Sequence, residues 1–303
     1  MRDSTPTEYL LSLANKLAEP YKQFPETYGI LLTGSVAEGI ADCHSDIDMA
    51  IYYEELPTAE QLDHAMMANG ARERKWVVGD PSEEQFMEAY LVNDVECQLV
   101  HTTLDAWERD LGRVLSGEEA ISPLQKALSG VLEGISLHGD GLIRDYKERI
   151  ADYPDELAEK MVREHLKFYP LWKIEDRLGS RDASLWKKQI ATETIQNLLG
   201  VLAGLNRVYY TTFQFKRMKK FIDSMLLSPS NLYERINGVL ATNDGVGYEL
   251  ENLVSETLEL VRREMPQIDV APTAESIGLR SRPWTKPIHA QSGSRTLRTA
   301  RLS

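Results

Sequence analysis

The stretch Leu31-Leu32-Thr33-Gly34-Ser35 is followed, after ten intervening residues, by Asp46-Ile47-Asp48-Met49-Ala50-Ile51. An apolar run thus ends on a Gly-Ser pair, and a second apolar run carries two carboxylates at i and i+2. In a strand, residues i and i+2 project from one face. Asp46 and Asp48 therefore point the same way, about 7 Å apart along the chain, while Ile47, Met49 and Ile51 face a core. Two hard oxygen ligands on a rigid strand suit Mg²⁺, which also takes ligands from substrate phosphates.

Gly34 has no Cβ, so the backbone there can approach a phosphate closely. Ser35 adds a hydroxyl and an N–H at the start of a short helix, where partial positive charge favours anions. Ser45, just before the first aspartate, is a second phosphate contact. Taken singly, a Gly-Ser pair is an ordinary strand-to-helix turn, and Asp-x-Asp an ordinary solvent face of a half-buried strand. Together, at this spacing and in a strand–turn–strand context, they describe a cradle for a metal-bound nucleoside triphosphate.

A hydroxyl that attacks such a triphosphate needs a base, or the metal a further ligand. The run Val92-Asn93-Asp94-Val95-Glu96-Cys97-Gln98-Leu99-Val100 supplies one. Val95, Cys97 and Leu99 alternate inward, which puts Asp94, Glu96 and Gln98 on the polar face. Glu96, at the middle of the strand, is the expected base, and Asp94 is its competitor. His44 and His101 flank the site but have no Cys/His partners at zinc-ligand spacing. Cys97 falls on the core face.

Outward from this centre, strands are predicted at 28–33, 47–53, 75–78 and 90–101. An amphipathic helix at 59–67 separates the second and third. A leading helix carries Tyr9, Leu10, Leu13 and Leu17 after Pro6. Alternating strands and helices over the first 105 residues indicate a small α/β unit. Beyond Leu104 strand signals largely vanish, and helices are predicted at 105–115, 123–132, 142–150, 155–178, 183–210, 215–227, 232–240 and 248–263. The expected fold class is α+β: a small mixed-sheet domain at 1–104, an all-helical domain at 105–280, and a basic, flexible tail at 281–303. Trp284 is placed to pin the segment before that tail.

The 303 residues are 42% hydrophobic and 27% charged, as in ordinary globular proteins. No run of about 18 apolar residues predicts a membrane span, and residues 1–8 hold no apolar signal core. Cys43 and Cys97 are too few for a disulfide framework, which gives a cytoplasmic expectation. The net charge is −13. Residues 277–303 carry six Lys/Arg and no Asp/Glu, so residues 1–276 carry −19. So acidic a body repels phosphate backbones, arguing against a long nucleic-acid partner, and attracts a cationic small molecule. The same acidity also serves solubility.

The pattern apolar-Gly-Ser, ten residues, Asp-apolar-Asp, then a carboxylate on a later strand resembles the nucleotidyltransferase superfamily of DNA polymerase β-like fold. With a helical domain directly following, the chain is similar to antibiotic adenylyltransferases acting on streptomycin/spectinomycin and on lincosamides. It resembles an uncharacterised bacterial branch more than any one resistance enzyme. The resemblance implies that Asp46 and Asp48 bind Mg²⁺ and that Glu96 is the base on an acceptor hydroxyl. Gly34, Ser35 and Ser45 then match the phosphate-binding positions. Leu137-His138-Gly139 resembles the short apolar–aromatic–Gly turn near the start of the helical domain.

The segment from Arg207 to Lys220 carries five basic residues and no acidic one. It resembles the part of these enzymes that holds the triphosphate, which makes Arg207, Lys216 and Lys219 nucleotide-binding candidates. A solvated helix face is the alternative for the lysines. The activity so implied is transfer of a nucleoside monophosphate, AMP from ATP, onto a hydroxyl of a small-molecule acceptor. Transfer of AMP to a protein side chain, as in antitoxin-type relatives, and a non-catalytic nucleotide-sensing module are the two rivals.

Overall fold

The computed structural model describes residues 5–242 and 245–279; the tail expected at 281–303, and Trp284 with it, lies outside the described residues. The chain begins with α1 (Pro6–Lys22), entered through a reciprocal cap. Thr5 accepts from the Glu8 amide, the Glu8 carboxylate accepts from the Thr5 amide, and Pro6 opens the first turn. Then follow β1 (Thr27–Thr33), the single turn α2 (Gly34–Ala37), β2 (Ile47–Tyr53), α3 (Ala59–Ala68), β3 (Arg74–Asp80), β4 (Gln85–Val92) and β5 (Val95–Thr103). Next come α4 (Leu104–Leu115), α5 (Leu124–Glu133), β6 (Ile135–His138), α6 (Asp140–Ala151), α7 (Asp155–His165), α8 (Trp172–Leu178) and α9 (Ser184–Asn206). The described part closes with α10 (Met218–Asp223), α11 (Leu232–Ala241), α12 (Val246–Glu264) and α13 (Ala271–Gly278).

The fold is α+β. Six strands form one mixed sheet in the order β3-β4-β5-β2-β1-β6. β2 and β5 run parallel, and the other neighbours are antiparallel. Strand alternation divides the core in two. Ile30, Leu32, Ile47, Met49 and Ile51 pack toward α1 and α3, whereas Leu31 and Tyr52 pack into the large helical core with Trp107 and Tyr146. Asp46 and Asp48 share the parity of Tyr52, so they face the helical side.

Four predicted features change. The strand expected over 90–101 is a hairpin. Asn93 and Asp94 both take positive φ, 52° and 64°, the two-residue turn that suits a hairpin's twist. Asp94 therefore sits in the turn and not on the face beside Glu96. The sheet takes a further strand, β6, where no strand is expected, and it pairs with the edge of β1. Gly139 ends β6 with φ 73°; a Cβ there would lie 2.0 Å from the Tyr28 carbonyl oxygen. The helix expected over 155–178 is two, α7 and α8, with Pro170 in the break. The helix expected over 183–210 stops at Asn206, because Arg207 turns left-handed at φ 53°.

Candidate active site

The site is assembled at the ends of β1 and β2. Thr33 pairs with Asp48 across the two strands, and the Thr33 hydroxyl reaches the Asp48 backbone oxygen at 3.4 Å. The chain then turns at Gly34 with φ 68°. A Cβ built on Gly34 would lie 2.2 Å from Asp48 Oδ2. Only glycine meets both the left-handed backbone and the close passage of the carboxylate. Gly34 thus passes directly over Asp48.

On the other side, β5 runs parallel to β2 with Gln98 beside Asp48. Gln98 Nε2 donates to Asp46 Oδ2 at 2.9 Å and to Glu96 Oε1 at 3.2 Å. One amide therefore orients two of the three expected carboxylates. Glu96 also pairs with Lys75 and accepts from Trp76 Nε1 at 3.3 Å. The Lys75 hydrogen bond holds its carboxyl below the ordinary range. Asp48 goes the opposite way: burial, then the charge of Asp46, pushes it up to about 6, while Lys126 and Lys216 pull it down.

Asp46 and Asp48 open onto a cleft of about 630 Å³. Its floor holds Gly34, Ser35, Ser45, Asp46 and Asp48; one wall is α5, through Lys126 and Ser129; the other is the segment 208–224, through Lys216, Arg217 and Lys220. The floor and the second wall are tied directly. Lys220 Nζ donates to Glu38 Oε2 at 2.6 Å. Arg217 Nη2 reaches the Ile40 carbonyl at 3.3 Å and Asp42 Oδ2 at 3.5 Å. A hollow of about 670 Å³ between α1 and α3 is as roomy, but neither Asp46, Asp48 nor Glu96 lines it.

The expected residues are not all brought together. Asp46, Asp48, Gly34, Ser35, Ser45 and Lys216 line the cleft. The Ser45 hydroxyl is engaged by its own loop, accepting from the Asp42 amide at 2.9 Å. Glu96 adjoins the cleft through Gln98 and is not in its wall. Arg207, at the helix end, pairs with Asp155 instead, and Lys219 pairs with Asp223 at 2.8 Å and lies over the Tyr233 ring. The left-handed turn at Arg207 redirects the chain, so the helical register that would place Arg207 and Lys219 over the phosphates does not continue. His101 is also remote from this face: it is fully buried, stacked on Tyr53 and Phe86. Lys126, Arg217 and Lys220 join the cleft without having been singled out by sequence. The basic run was a signal for the last two; nothing local marks Lys126.

The donor set fits a divalent cation. Asp46 and Asp48 project from one strand face, and their mutual repulsion is already visible in the raised Asp48. Among the described residues no group of three or more His, Cys, Asp or Glu is placed to enclose a metal ion. Two carboxylates are a common protein contribution to Mg²⁺, whose shell substrate oxygens and water complete. Among the described residues no helix is long and apolar enough to cross a membrane.

No protein-family profile matches the chain, and no curated protein is similar to it. Among solved structures it is similar to a nucleotidyltransferase-like protein from Exiguobacterium sibiricum, at 13% identity and a TM-score of 0.39, over 91% of this chain and 82% of that one.

Proposed function

We propose that the protein is a Mg²⁺-dependent nucleotidyltransferase that moves AMP from ATP onto a hydroxyl of a small-molecule acceptor and releases pyrophosphate. The observation that carries this reading is the Gly34–Asp48 close passage. It supports the reading because Asp48, with Asp46 two residues before it, lies under the turn at Gly34, and Lys126 and Lys216 line the same cleft.

Asp46 and Asp48 would hold the cation. When bound, it would offset the charge of the triphosphate and of the departing pyrophosphate. Gly34 and Ser35 bring the backbone and a hydroxyl to the phosphates. Lys216 offers its ammonium to the outer phosphates as negative charge builds on the leaving group. Gln98 fixes Asp46 and Glu96 relative to each other. Glu96, kept ionised by Lys75, accepts the proton of the acceptor hydroxyl. The hydroxyl oxygen forms a bond to the α-phosphorus, and the bond from that phosphorus to pyrophosphate breaks. Positioning and electrostatics carry most of the rate in such a scheme. A cleft of about 630 Å³ suits a nucleotide with a small acceptor.

The test is incubation with ATP labelled at the α-phosphate, Mg²⁺ and a metabolite mixture, followed by mass spectrometry. The expected product is a metabolite heavier by one AMP unit, formed with pyrophosphate and lost in Asp48→Asn. Pyrophosphate-free turnover, or label entering only protein, would reject small-molecule transfer.

A further inference from the structure

The cleft carries four cations, and they are not equivalent. Arg217 and Lys220 are each met by a carboxylate of the 38–42 loop, Asp42 and Glu38. Lys216 lies over the Phe213 ring at 5.8 Å. Lys126, half-buried on α5, has no ion-pair partner among the described residues. A partly desolvated cation without a partner is costly, and this one lines the same cleft as Asp48.

Its position follows from how α5 crosses the sheet. Gly130 lies against Thr33; a Cβ there would meet the Thr33 side chain at 3.6 Å. Lys126 is one helical turn earlier on the same helix face. It therefore stands over the end of β1, where the chain turns at Gly34, and Ser129 beside it also lines the cleft. Lys126 and Lys216 reach the same cleft from α5 and from the 208–224 segment, which meet where Gln125 Oε1 accepts from the Tyr210 amide at 2.7 Å.

We infer that Lys126 is a second phosphate-holding residue, so that a polyphosphate is held by α5 together with the 208–224 segment rather than by the basic segment alone. The inference rests on the nucleotidyl-transfer reading and deepens it. It assigns to α5 the recognition of the β- and γ-phosphates, and hence discrimination of a triphosphate from a monophosphate. The alternative role for Lys126 is to offset the charge of Asp46 and Asp48. The two roles differ in sign: a lysine that only offsets those carboxylates opposes Mg²⁺, so its removal would tighten Mg²⁺ and would not weaken the triphosphate.

The experiment is calorimetric binding of Mg²⁺ alone, of AMP, and of α,β-methylene ATP with Mg²⁺, to the full chain. Wild type, Lys126→Ala, Lys126→Arg, Asp48→Asn and the surface control Arg144→Ala are compared, with thermal melts confirming the fold. Lys126→Ala should lose about tenfold for the triphosphate and less than twofold for AMP, Lys126→Arg should recover most of the loss, and Arg144→Ala should match wild type. If Lys126→Ala keeps the wild-type triphosphate-to-AMP ratio while Asp48→Asn loses it, the inference is overturned and the transferase reading stands. Loss in Lys126→Ala that arginine does not recover would place the effect in shape rather than charge and also overturn it. If wild type shows no Mg²⁺-dependent preference for the triphosphate, the transferase reading fails, and the inference with it.

Discussion

Gly34 and Asp48 are so close that a single added methyl group would collide with the carboxylate, 2.2 Å from Oδ2. The first prediction is drawn from this pair. Gly34→Ala forces a Cβ into a left-handed backbone position, which costs about 1–2 kcal/mol, and displaces Asp48 as well. Mg²⁺-dependent ATP binding should fall sharply, with a modest drop in the denaturation midpoint. Wild-type affinity in this variant would show that the turn and the carboxylate do not work together.

Asp48 gives the pH prediction. Its folded-state carboxyl is raised from 3.8 to about 6, mainly by burial and then by Asp46. A raised acid binds its proton more tightly in the folded state. Stability from this group is therefore full below about pH 4 and is lost as pH rises through about 6. The shift corresponds to up to about 3 kcal/mol in the metal-free protein. Asp48→Asn should raise the melting temperature of the metal-free protein at pH 7.5, yet weaken Mg²⁺-dependent nucleotide binding. In the wild type that binding should strengthen as pH rises from 5 to 7. A melting temperature unchanged by Asp48→Asn would mean that Asp48 carries no such penalty.

The parts of the site legible in the sequence are those encoded locally. The i, i+2 aspartates need only a strand, and Gly34-Ser35 only the turn after one. Alternation along the strand points to Glu96, but the same alternation runs through Asn93-Asp94 and conceals a hairpin turn. β6 has four residues, all partly exposed, and becomes a strand only because β1 offers a free edge. Its existence is a tertiary fact. The basic run after Asn206 was visible, but which of its cations reach the cleft depends on a left-handed residue at Arg207 that helical periodicity does not announce. Lys126 was illegible because its role depends on where α5 crosses β1.

Glu96 and Lys75 give a kinetic prediction. Glu96→Gln keeps the shape and the Gln98 contact but removes the proton acceptor. It should bind Mg·ATP normally and lose about 10²-fold or more in transfer rate. Lys75→Met removes the partner that holds Glu96 low, so the acid limb of the transfer rate should move to higher pH. Asp94, in the hairpin turn, should tolerate Asp94→Asn. An active Glu96→Gln beside an inactive Asp94→Asn would exchange the two roles.

The ion pairs Lys220–Glu38 and Arg217–Asp42 join the 208–224 wall to the loop that follows Gly34-Ser35. Arg217–Asp42 is exposed and Lys220–Glu38 partly so, the Glu38 side chain being 19% exposed, and such surface pairs contribute little to global stability. Their effect should be local: they hold the basic wall near the carboxylates when no anion is bound. The double variant Glu38→Gln/Asp42→Asn should leave the melting temperature nearly unchanged while amide exchange across 212–224 becomes faster. Raising the ionic strength of the wild type from about 0.05 to about 0.5 M should move exchange in the same direction, because screening shortens the reach of exposed charges. Adding Mg·ATP should slow exchange in both proteins, since phosphates replace the lost carboxylates as partners for the wall. Exchange in 212–224 that ignores the double variant would mean that apolar packing of Phe221 and Tyr210, whose rings stack at 5.7 Å, holds the wall without help from the loop.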